Sequence, residues 1–536
     1  MNLLLLVWYC LQGYRHVIHG DAASRVLLAR EIFDSGQLFP QDWFYVNGDI
    51  WALATHLAVV PLLFVLPAGF LTHAISSLIF AALLLYGAWL LTGILQVAWE
   101  RRLLILAVVA GGVSPVSVDF LFGQLTYGVI LGICFFLVFL AYRAVTEELA
   151  KTRLAYGMLM ALICFAACAG NPSRAVIFYV APLLAALGFH AFCATKDGLR
   201  PQLRAVASTA GLVLAAFVAG AVFYLWLTPS LLITPGVNEA RVEPSQDFIA
   251  NLSLLWGEYV EAVVGRVPAG EHVASTTGLA FTARLAIALV LLWLVPQACK
   301  KHLEKPLSGG AFLAVFAITL TLLSVFIQLV TTLAGSGRFL LPGLICLLIL
   351  ALAMPLDFWM APARTCAVAL VFIGFMGASW SALYSDVRSP ENVKHRREQQ
   401  ALRQLLMDNG LKYGYAPMWE ALPISVMSDE KLLVRSIIVL DGLPIPAPWV
   451  SSLRWYRAQA WSGSTFLMLT PDQSRTVDWK AMQRHGAAPA RRLAFGRFDI
   501  WVFRDNLASH GLPGWPSPMQ LIERRRSSAG NPVARP

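Results

Sequence analysis

Long apolar segments dominate this sequence and constrain its fold more than any other feature. Because about 20 apolar residues cross a bilayer as a helix, runs that could span it cover roughly 1–18, 74–97, 103–122, 126–146, 154–170, 175–195, 206–228, 279–298, 311–334, 339–357 and 364–384. The chain is 58% apolar and only 13% charged, which excludes an ordinary soluble enzyme and a disordered chain. The sequence predicts a polytopic α-helical membrane protein with about 11 transmembrane helices.

Basic loops give the expected orientation. If Trp51–Phe70 does not span, every short loop rich in Lys or Arg falls on one side, namely 99–102, 146–153, 195–204, 299–305 and 361–364. Pro61 and Pro67 favour a broken, non-spanning helix in that stretch. The positive-inside rule places the basic loops in the cytoplasm. We therefore expect a multi-pass protein of the bacterial inner (cytoplasmic) membrane, with its outer loops and C-terminal domain in the periplasm.

The chain divides into two predicted domains. Residues 1–384 form a multi-span membrane domain with outer loops at 19–73 and 229–278, and residues 385–523 form a C-terminal periplasmic α/β domain, followed by a disordered tail at 524–536. Within the second domain, a helix is predicted at 394–410 by its apolar spacing, and strands are predicted at 433–440, 464–470 and 498–504.

Charge and cysteine content limit the partners. The net charge is +10, and the basic excess lies mainly after Tyr384, where it suits an anionic membrane surface or glycolipid. No nucleic-acid-binding module accompanies the charge, so no nucleic acid is expected. All eight cysteines lie in apolar segments or at their ends, without metal-ligand spacing. We expect buried thiols and no disulfide framework.

Acidic residues mark the first outer loop. Asp21 directly follows the first span, and Asp42 and Asp49 follow among aromatic residues. Asp21 could cap the amphipathic helix DAASRVLLAREIF or accept a proton from a hydroxyl group. Loop carboxylates also bind divalent cations, so Asp42 and Asp49 are candidate metal ligands or acceptor contacts. Three nearby histidines are further candidates as ligands or bases, although a satisfied interfacial role is commoner for such residues: His16, His19 and His56.

Three more charged residues lie near the predicted outer ends of spans. Asp119 has apolar neighbours, among which an unpaired carboxylate is costly. A structural hydrogen bond or ion pair and a catalytic or acceptor-binding role suit it equally. Arg174 and Arg338 each begin a span from the outside. Arginines there can simply reach towards the lipid headgroups, but paired guanidinium donors also match a phosphate.

The amphipathic stretch 248–267 predicts a helix that lies on the membrane.

These features together resemble the GT-C class of integral membrane glycosyltransferases, which use polyprenyl-phosphate-linked sugars. The arrangement of spans that carries the resemblance covers about residues 1–384. Within it, Asp21 follows the first span, a proline-bearing segment lies at 58–70, and an Arg-aromatic-aliphatic-aliphatic-Pro signature lies at 338–342. The terminal domain is the fourth feature. Two positions depart from the family pattern. Asp21 is followed by Ala22 rather than a second acid, and Phe339 stands where Tyr is usual.

The resemblance implies a function and a set of site residues. Asp21 would be the catalytic base, Arg338 with Arg174 would hold the donor phosphate, and Asp42 or Asp49 would bind a divalent metal ion or the acceptor. The expected partners are a polyprenyl-phosphate-linked sugar, a glycan or glycolipid acceptor and membrane lipids. Two alternatives remain open at this point: a surface-polysaccharide polymerase or ligase, and a membrane transporter or flippase.

Overall fold

The computed structural model describes residues 1–50, 55–234, 242, 248–266, 270, 272–331, 337–354, 377, 379–380 and 383–516. These residues form helices that we number in chain order as α1 (Asn2–Trp8), α2 (Gly20–Ser35), α3 (Thr55–Val59), α4 (Phe70–Ile94), α5 (Trp99–Gly111), α6 (Pro115–Val118), α7 (Thr126–Thr146), α8 (Ala150–Gly170), α9 (Pro172–Ala175), α10 (Ala181–Lys196), α11 (Arg200–Leu227), α12 (Phe248–Val264), α13 (Thr276–Leu303), α14 (Gly309–Val330), α15 (Leu341–Leu352), α16 (Pro390–Asp408), α17 (Met418–Met427), α18 (Pro471–Thr476) and α19 (Trp479–Arg484).

The strands are fewer and lie mostly near the C-terminus. In chain order they are β1 (Phe44–Val46), β2 (Leu232–Thr234), β3 (Tyr413–Pro417), β4 (Leu433–Leu440), β5 (Leu443–Pro446), β6 (Thr465–Leu469), β7 (Arg491–Phe495) and β8 (Phe498–Phe503). The predicted strands at 433–440, 464–470 and 498–504 correspond to β4, β6 and β8, and the predicted helix at 394–410 corresponds to α16. The remaining strands were not predicted.

The chain forms two compact units. The helical unit comprises the described residues of Met1–Tyr14, Ser77–Leu227 and Val237–Ser389, and the α/β unit comprises those of Arg15–Ser76, Thr228–Gly236 and Pro390–Pro536. The sequence division at residue 384 assigned the first outer loop to the membrane domain. In the structure this loop folds with the terminal region instead, because backbone pairing and ion pairs join them.

The predicted polytopic helical fold with a C-terminal α/β region is confirmed. Among the described residues, seven helices are long and apolar enough to cross a membrane, or eight if one bent pair counts as a single span. The predicted span 126–146 coincides with α7. The expected count of about 11 is not reached by this criterion, since α1 and α15 are short and most of 364–384 lies outside the described residues.

Two predicted apolar segments are broken. The span expected at 103–122 consists of α5 and a second helical segment, Pro115–Gly123, which bend by 89° at residues 112–114. The stretch 51–70, which we expected not to span, forms the short helix α3 and a 3₁₀ helix, Val60–Phe64, in its described part. This agrees with the expectation that the stretch does not span, because Pro61 lies in the first turn of the 3₁₀ helix and the described part forms no continuous helix.

The α/β unit contains a mixed six-stranded sheet in the order β5-β4-β3-β6-β8-β7. The central strand β3 pairs in parallel with β4 and β6, and the outer pairs are antiparallel. Leucines of α16 pack against the sheet, where Leu406 is fully buried beside Phe466 and Ile500. Gly410 ends this segment with a φ of 68°, which a glycine adopts without strain.

Parts of the first loop complete the same unit. Strand β1 pairs in parallel with β2, and the backbone of Phe44 both donates to Ser451 and accepts from Val450. The ring of Trp43 packs edge-on against Trp455 at 5.5 Å. Trp43 and Phe44 are buried in the α/β unit, so the first loop forms part of its core.

Candidate functional site

Asp21 lies in the first turn of α2. The cap expected at this position is provided instead by His19, whose side chain accepts a hydrogen bond from the Asp21 backbone amide at 3.3 Å. The Asp21 carboxylate lies 3.4 Å from His19 Nδ1 and is 39% exposed, so solutes can reach it.

An aromatic side chain from the terminal region lies beside this acid. The Trp419 ring is 4.9 Å from the His19 ring, and Trp419 remains 55% exposed. A Cβ on Gly20 would lie 2.7 Å from the same indole, so only glycine permits this approach. Sequence reasoning missed Trp419 because it lies far from Asp21 along the chain.

The other acids of the first loop are placed differently. Asp42 forms an ion pair with Arg457 at 2.9 Å, and its backbone carbonyl accepts from Leu453. Asp49 ends a turn in which its amide donates to Val46. The expected role of Asp42 and Asp49 as metal ligands stays a prediction.

The histidines of this loop are also engaged within the α/β unit. His16 Nε2 lies 3.0 Å from a guanidinium nitrogen of Arg396, and His56 is buried. Among the residues that the structure describes, no three His, Cys, Asp or Glu side chains come together in a way that could hold a metal ion. Within the described residues there is thus no such centre, and we derive no step through a metal ion.

Asp119 belongs to the helical unit, at the start of a π-helical turn that extends α6 to Gly123. The side-chain amide of Gln124 donates to the Asp119 carboxylate at 2.6 Å. Gly123 lies so close that a Cβ there would be 2.4 Å from the Tyr14 ring and 2.7 Å from Asp119 Oδ1. Asp119 is therefore held in place by a tight turn, and Gln124 is a neighbour that the sequence did not single out.

Arg174 lies in the short helix α9. The Asn171 side chain caps this helix by accepting from the Arg174 amide at 3.0 Å, and Pro172 occupies the first turn. A second π-helical turn, Val176–Val180, follows directly. The cap and the proline thus fix the backbone at Arg174. Arg174 itself is half-buried.

Arg338 lies in a 3₁₀ turn, Gly337–Leu340, that leads into α15. The preceding amide, that of Gly337, donates to the carboxylate of Glu258 on α12 at 2.6 Å. The next residue, Phe339, has its ring 6.0 Å from Tyr127 and 6.2 Å from Phe178. Arg338 itself is half-buried.

Phe339 contacts two other segments of the helical unit that carry candidate residues. Tyr127 lies in the first turn of α7, shortly after Asp119, and Phe178 lies in the turn after Arg174. The residue next to Arg338 therefore contacts the segments that follow the other two charged residues. The sequence singled out each of these charged residues separately. The ring contacts of Phe339 with Tyr127 and Phe178 could not be predicted, because these residues are far apart in the sequence.

The cysteines play no visible part in these sites. The seven that lie in described residues are free and buried, as expected from their apolar segments. Cys366 lies outside the described residues.

Comparison with known proteins identifies the fold. No protein-family model matches the chain, and no curated protein matches it. Among solved structures, ArnT from Cupriavidus metallidurans in the apo state matches with a TM-score of 0.52 and 12% identity, covering 95% of this chain and 97% of ArnT. The same protein bound to undecaprenyl phosphate matches with a TM-score of 0.51 and 12% identity, covering 95% and 98%. The chain has the fold of the GT-C membrane glycosyltransferases, the class of ArnT.

Proposed function

We propose that this chain is a glycosyltransferase that moves a sugar from a polyprenyl-phosphate donor to a cell-envelope acceptor on the periplasmic face of the inner membrane. The observation that carries this proposal is the similarity to ArnT over 95% of the chain, including the form of ArnT bound to undecaprenyl phosphate. Such broad coverage includes the helices and the terminal α/β region alike. The proposed substrate of this chain is therefore a lipid of the same chemistry.

Arg338 and Arg174 bind the donor phosphate in this proposal. Guanidinium groups form paired, charge-assisted hydrogen bonds with phosphate oxygens. Both residues belong to half-buried turns of the helical unit, where a fixed positive charge is more effective than in water. The contacts of Phe339 with Tyr127 and Phe178 support a common arrangement of these turns.

Asp21 is the proposed base. It is partly exposed, so that an acceptor hydroxyl group can reach its carboxylate. A base of this kind contributes roughly 10²–10⁴-fold to the rate. Asp119 and Asp49 remain proposed acceptor contacts, while the ion pair with Arg457 gives Asp42 a structural role as well.

The chemistry is a single displacement. The acceptor oxygen forms a bond with the anomeric carbon as the bond from that carbon to the donor phosphate breaks, and the acceptor proton passes to the Asp21 carboxylate. Negative charge develops on the departing polyprenyl phosphate, so arginines directed at it stabilise the transition state. One displacement inverts the configuration at the anomeric carbon.

A comparison of three strains tests the proposed function. They are the parent, a deletion strain and the deletion strain complemented with the intact gene, and their surface glycans, lipid A and polyprenyl-linked sugars are weighed by mass spectrometry. We expect the deletion to lose one sugar mass from an envelope glycan and to accumulate the lipid-linked donor, with both effects reversed by complementation. An unchanged profile in the deletion strain would favour transport or another acceptor.

A further inference from the structure

The helix α12 presents two polar side chains on one face. Asn251 and Glu258 are seven residues apart, which corresponds to about two helical turns and places them on the same side. Several large apolar residues of this helix are exposed instead: Phe248, Ile249, Leu252, Leu254 and Trp256. Polar contacts on one side and an apolar surface elsewhere match the helix that the sequence predicted to lie on a membrane.

The two polar residues contact the end of α14 and the turn that contains Arg338. Asn251 Nδ2 donates to the carbonyl of Leu329, in the last turn of α14, at 3.1 Å. Glu258 accepts from the amide of Gly337, which immediately precedes Arg338, at 2.6 Å. The same helix therefore contacts both the last turn of α14 and the turn of Arg338.

The contact at Gly337 is unusually close. A Cβ on Gly337 would lie 2.4 Å from a Glu258 carboxylate oxygen and 2.5 Å from the Glu258 Cβ. Atoms do not approach to these distances, so the contact requires glycine. A hydrogen bond from an amide to a carboxylate is also roughly twice as strong as one between neutral groups.

We propose that Glu258 is a positioning residue for Arg338. It fixes the backbone of the 3₁₀ turn through the Gly337 amide, so that the guanidinium of Arg338 is held ready for a lipid phosphate. The inference rests on the proposed function, because it assumes that Arg338 binds the donor phosphate. It gives the second outer loop a role in donor binding that no single motif in the sequence indicates.

Glu261 provides a matched control on the same helix. Its carboxylate pairs with Arg266 at 3.0 Å, and the Arg266 side chain is 85% exposed. Substituting Glu261 by Gln removes one negative charge from α12, as substituting Glu258 does. It leaves intact the hydrogen bond from the Gly337 amide to Glu258. A general effect of charge on the lipid phosphate would therefore appear in both variants.

Binding of undecaprenyl phosphate to the purified full chain in detergent is the test. Glu258→Ala should weaken binding about tenfold, since it removes a charge-assisted hydrogen bond. Glu258→Gln keeps an oxygen acceptor and should weaken binding less than Glu258→Ala. Glu261→Gln should bind as the wild type does. A thermal unfolding midpoint for each variant establishes that the protein remains folded.

A double substitution separates positioning from a direct or general effect. If Glu258 acts through Arg338, then Glu258→Ala should cause no further loss in a chain that already carries Arg338→Ala. A merely structural role of Glu258 would lower binding in both backgrounds. Should Glu258→Ala prove unstable, Glu258→Gln takes its place in the same cycle.

The outcomes distinguish this inference from the function on which it rests. Failure of the wild type to bind undecaprenyl phosphate, or full binding by Arg338→Ala, overturns the assignment of Arg338 and with it the positioning role. Weak binding by Arg338→Ala together with normal binding by Glu258→Ala overturns only the role of Glu258. Equal losses for Glu258→Ala in the presence and absence of Arg338 also overturn it.

Discussion

The acids of the first loop differ in what surrounds each side chain. Glu31 and Asp42 pair with Arg454 and Arg457 of the terminal region, at 3.2 Å and 2.9 Å. Asp21 instead lies at a helix N-terminus with 39% of its side chain exposed. Substituting Glu31 or Asp42, whose ion pairs join the first loop to the terminal region, should therefore affect folding, whereas substituting Asp21 should affect chemistry.

Replacing Asp21 by Asn should reduce transfer by roughly 10²–10⁴-fold, because the amide cannot accept the acceptor proton. The thermal midpoint should change little, since the His19 cap uses the backbone amide of residue 21. Initial rates in membranes that contain equal amounts of protein provide the measurement. Asp34→Asn, at the other end of α2, serves as the control, and normal transfer by Asp21→Asn would remove the base assignment.

Glu31 should give the α/β unit an unusual dependence on pH. Burial raises the pKa of this carboxyl, although Arg454 and a hydrogen bond with Ser452 act to lower it. As pH falls from 7 through the raised pKa, the folded chain takes up a proton before the unfolded chain does. The wild type should therefore gain stability relative to Glu31→Gln on acidification.

Thermal midpoints of the two proteins at several values between pH 7 and pH 5 measure this difference. Only the change in the gap between the proteins matters, because Gln also alters the ion pair at every pH. A gap that moves against the wild type on acidification would mean that the pKa of Glu31 is lowered by Arg454 rather than raised by burial.

The sequence indicated candidate site residues but not the contacts that each of them makes. Asp21, Arg174 and Arg338 stand out because charges at the ends of apolar segments are costly. Glu258 lies 79 positions before Gly337, and nothing in the local sequence of either residue indicates the other. Trp419 was missed for the same reason, since its contact with His19 depends on the fold of the whole α/β unit.

Among the secondary-structure elements, hydropathy predicted the long helices well. The helix α7 begins and ends where its apolar run does, because the bilayer thickness sets the length of such a run. Hydropathy did not predict the bend before Pro115, since both halves of that segment are apolar. The three-residue strands β1 and β2 were missed as well, because their partners are remote in sequence.

Two glycines of α11 should respond differently to substitution. A Cβ on Gly220 would lie 2.6 Å from the Cβ of Cys168 on α8, whereas nothing lies within 4 Å of a Cβ on Gly211. Small residues allow membrane helices to approach closely. Gly220→Ala should therefore lower the stability of the helical unit by about 1–3 kcal/mol, and Gly211→Ala should not.

Thermal unfolding in detergent, with the same preparation for both variants, provides the comparison. Both substitutions add one methyl group to the same helix, so helix propensity affects them alike. Equal midpoints for the two variants would mean that α8 and α11 do not pack as closely as the structure indicates.

For the whole molecule, we propose an orientation in the membrane from the charge of the loops. The basic loops at 195–204 and 299–305 connect long apolar helices, and the rule for such loops places them in the cytoplasm. Alkaline phosphatase fused after residue 516 should then be active, and a fluorescent protein fused there should be dark. A fusion within residues 195–204 should give the opposite pattern. Fluorescence from the C-terminal fusion would reverse the proposed orientation.

The most direct test of the central claim is transfer by the purified protein in a lipid extract of the deletion strain. That extract should contain both substrates, because neither is consumed in the absence of the enzyme. We predict that adding the protein raises the mass of an envelope acceptor by one sugar and releases an equal amount of polyprenyl phosphate. Asp21→Asn and heated protein should do neither. An acceptor of unchanged mass, with the lipid-linked sugar intact, would contradict the proposed glycosyltransferase activity.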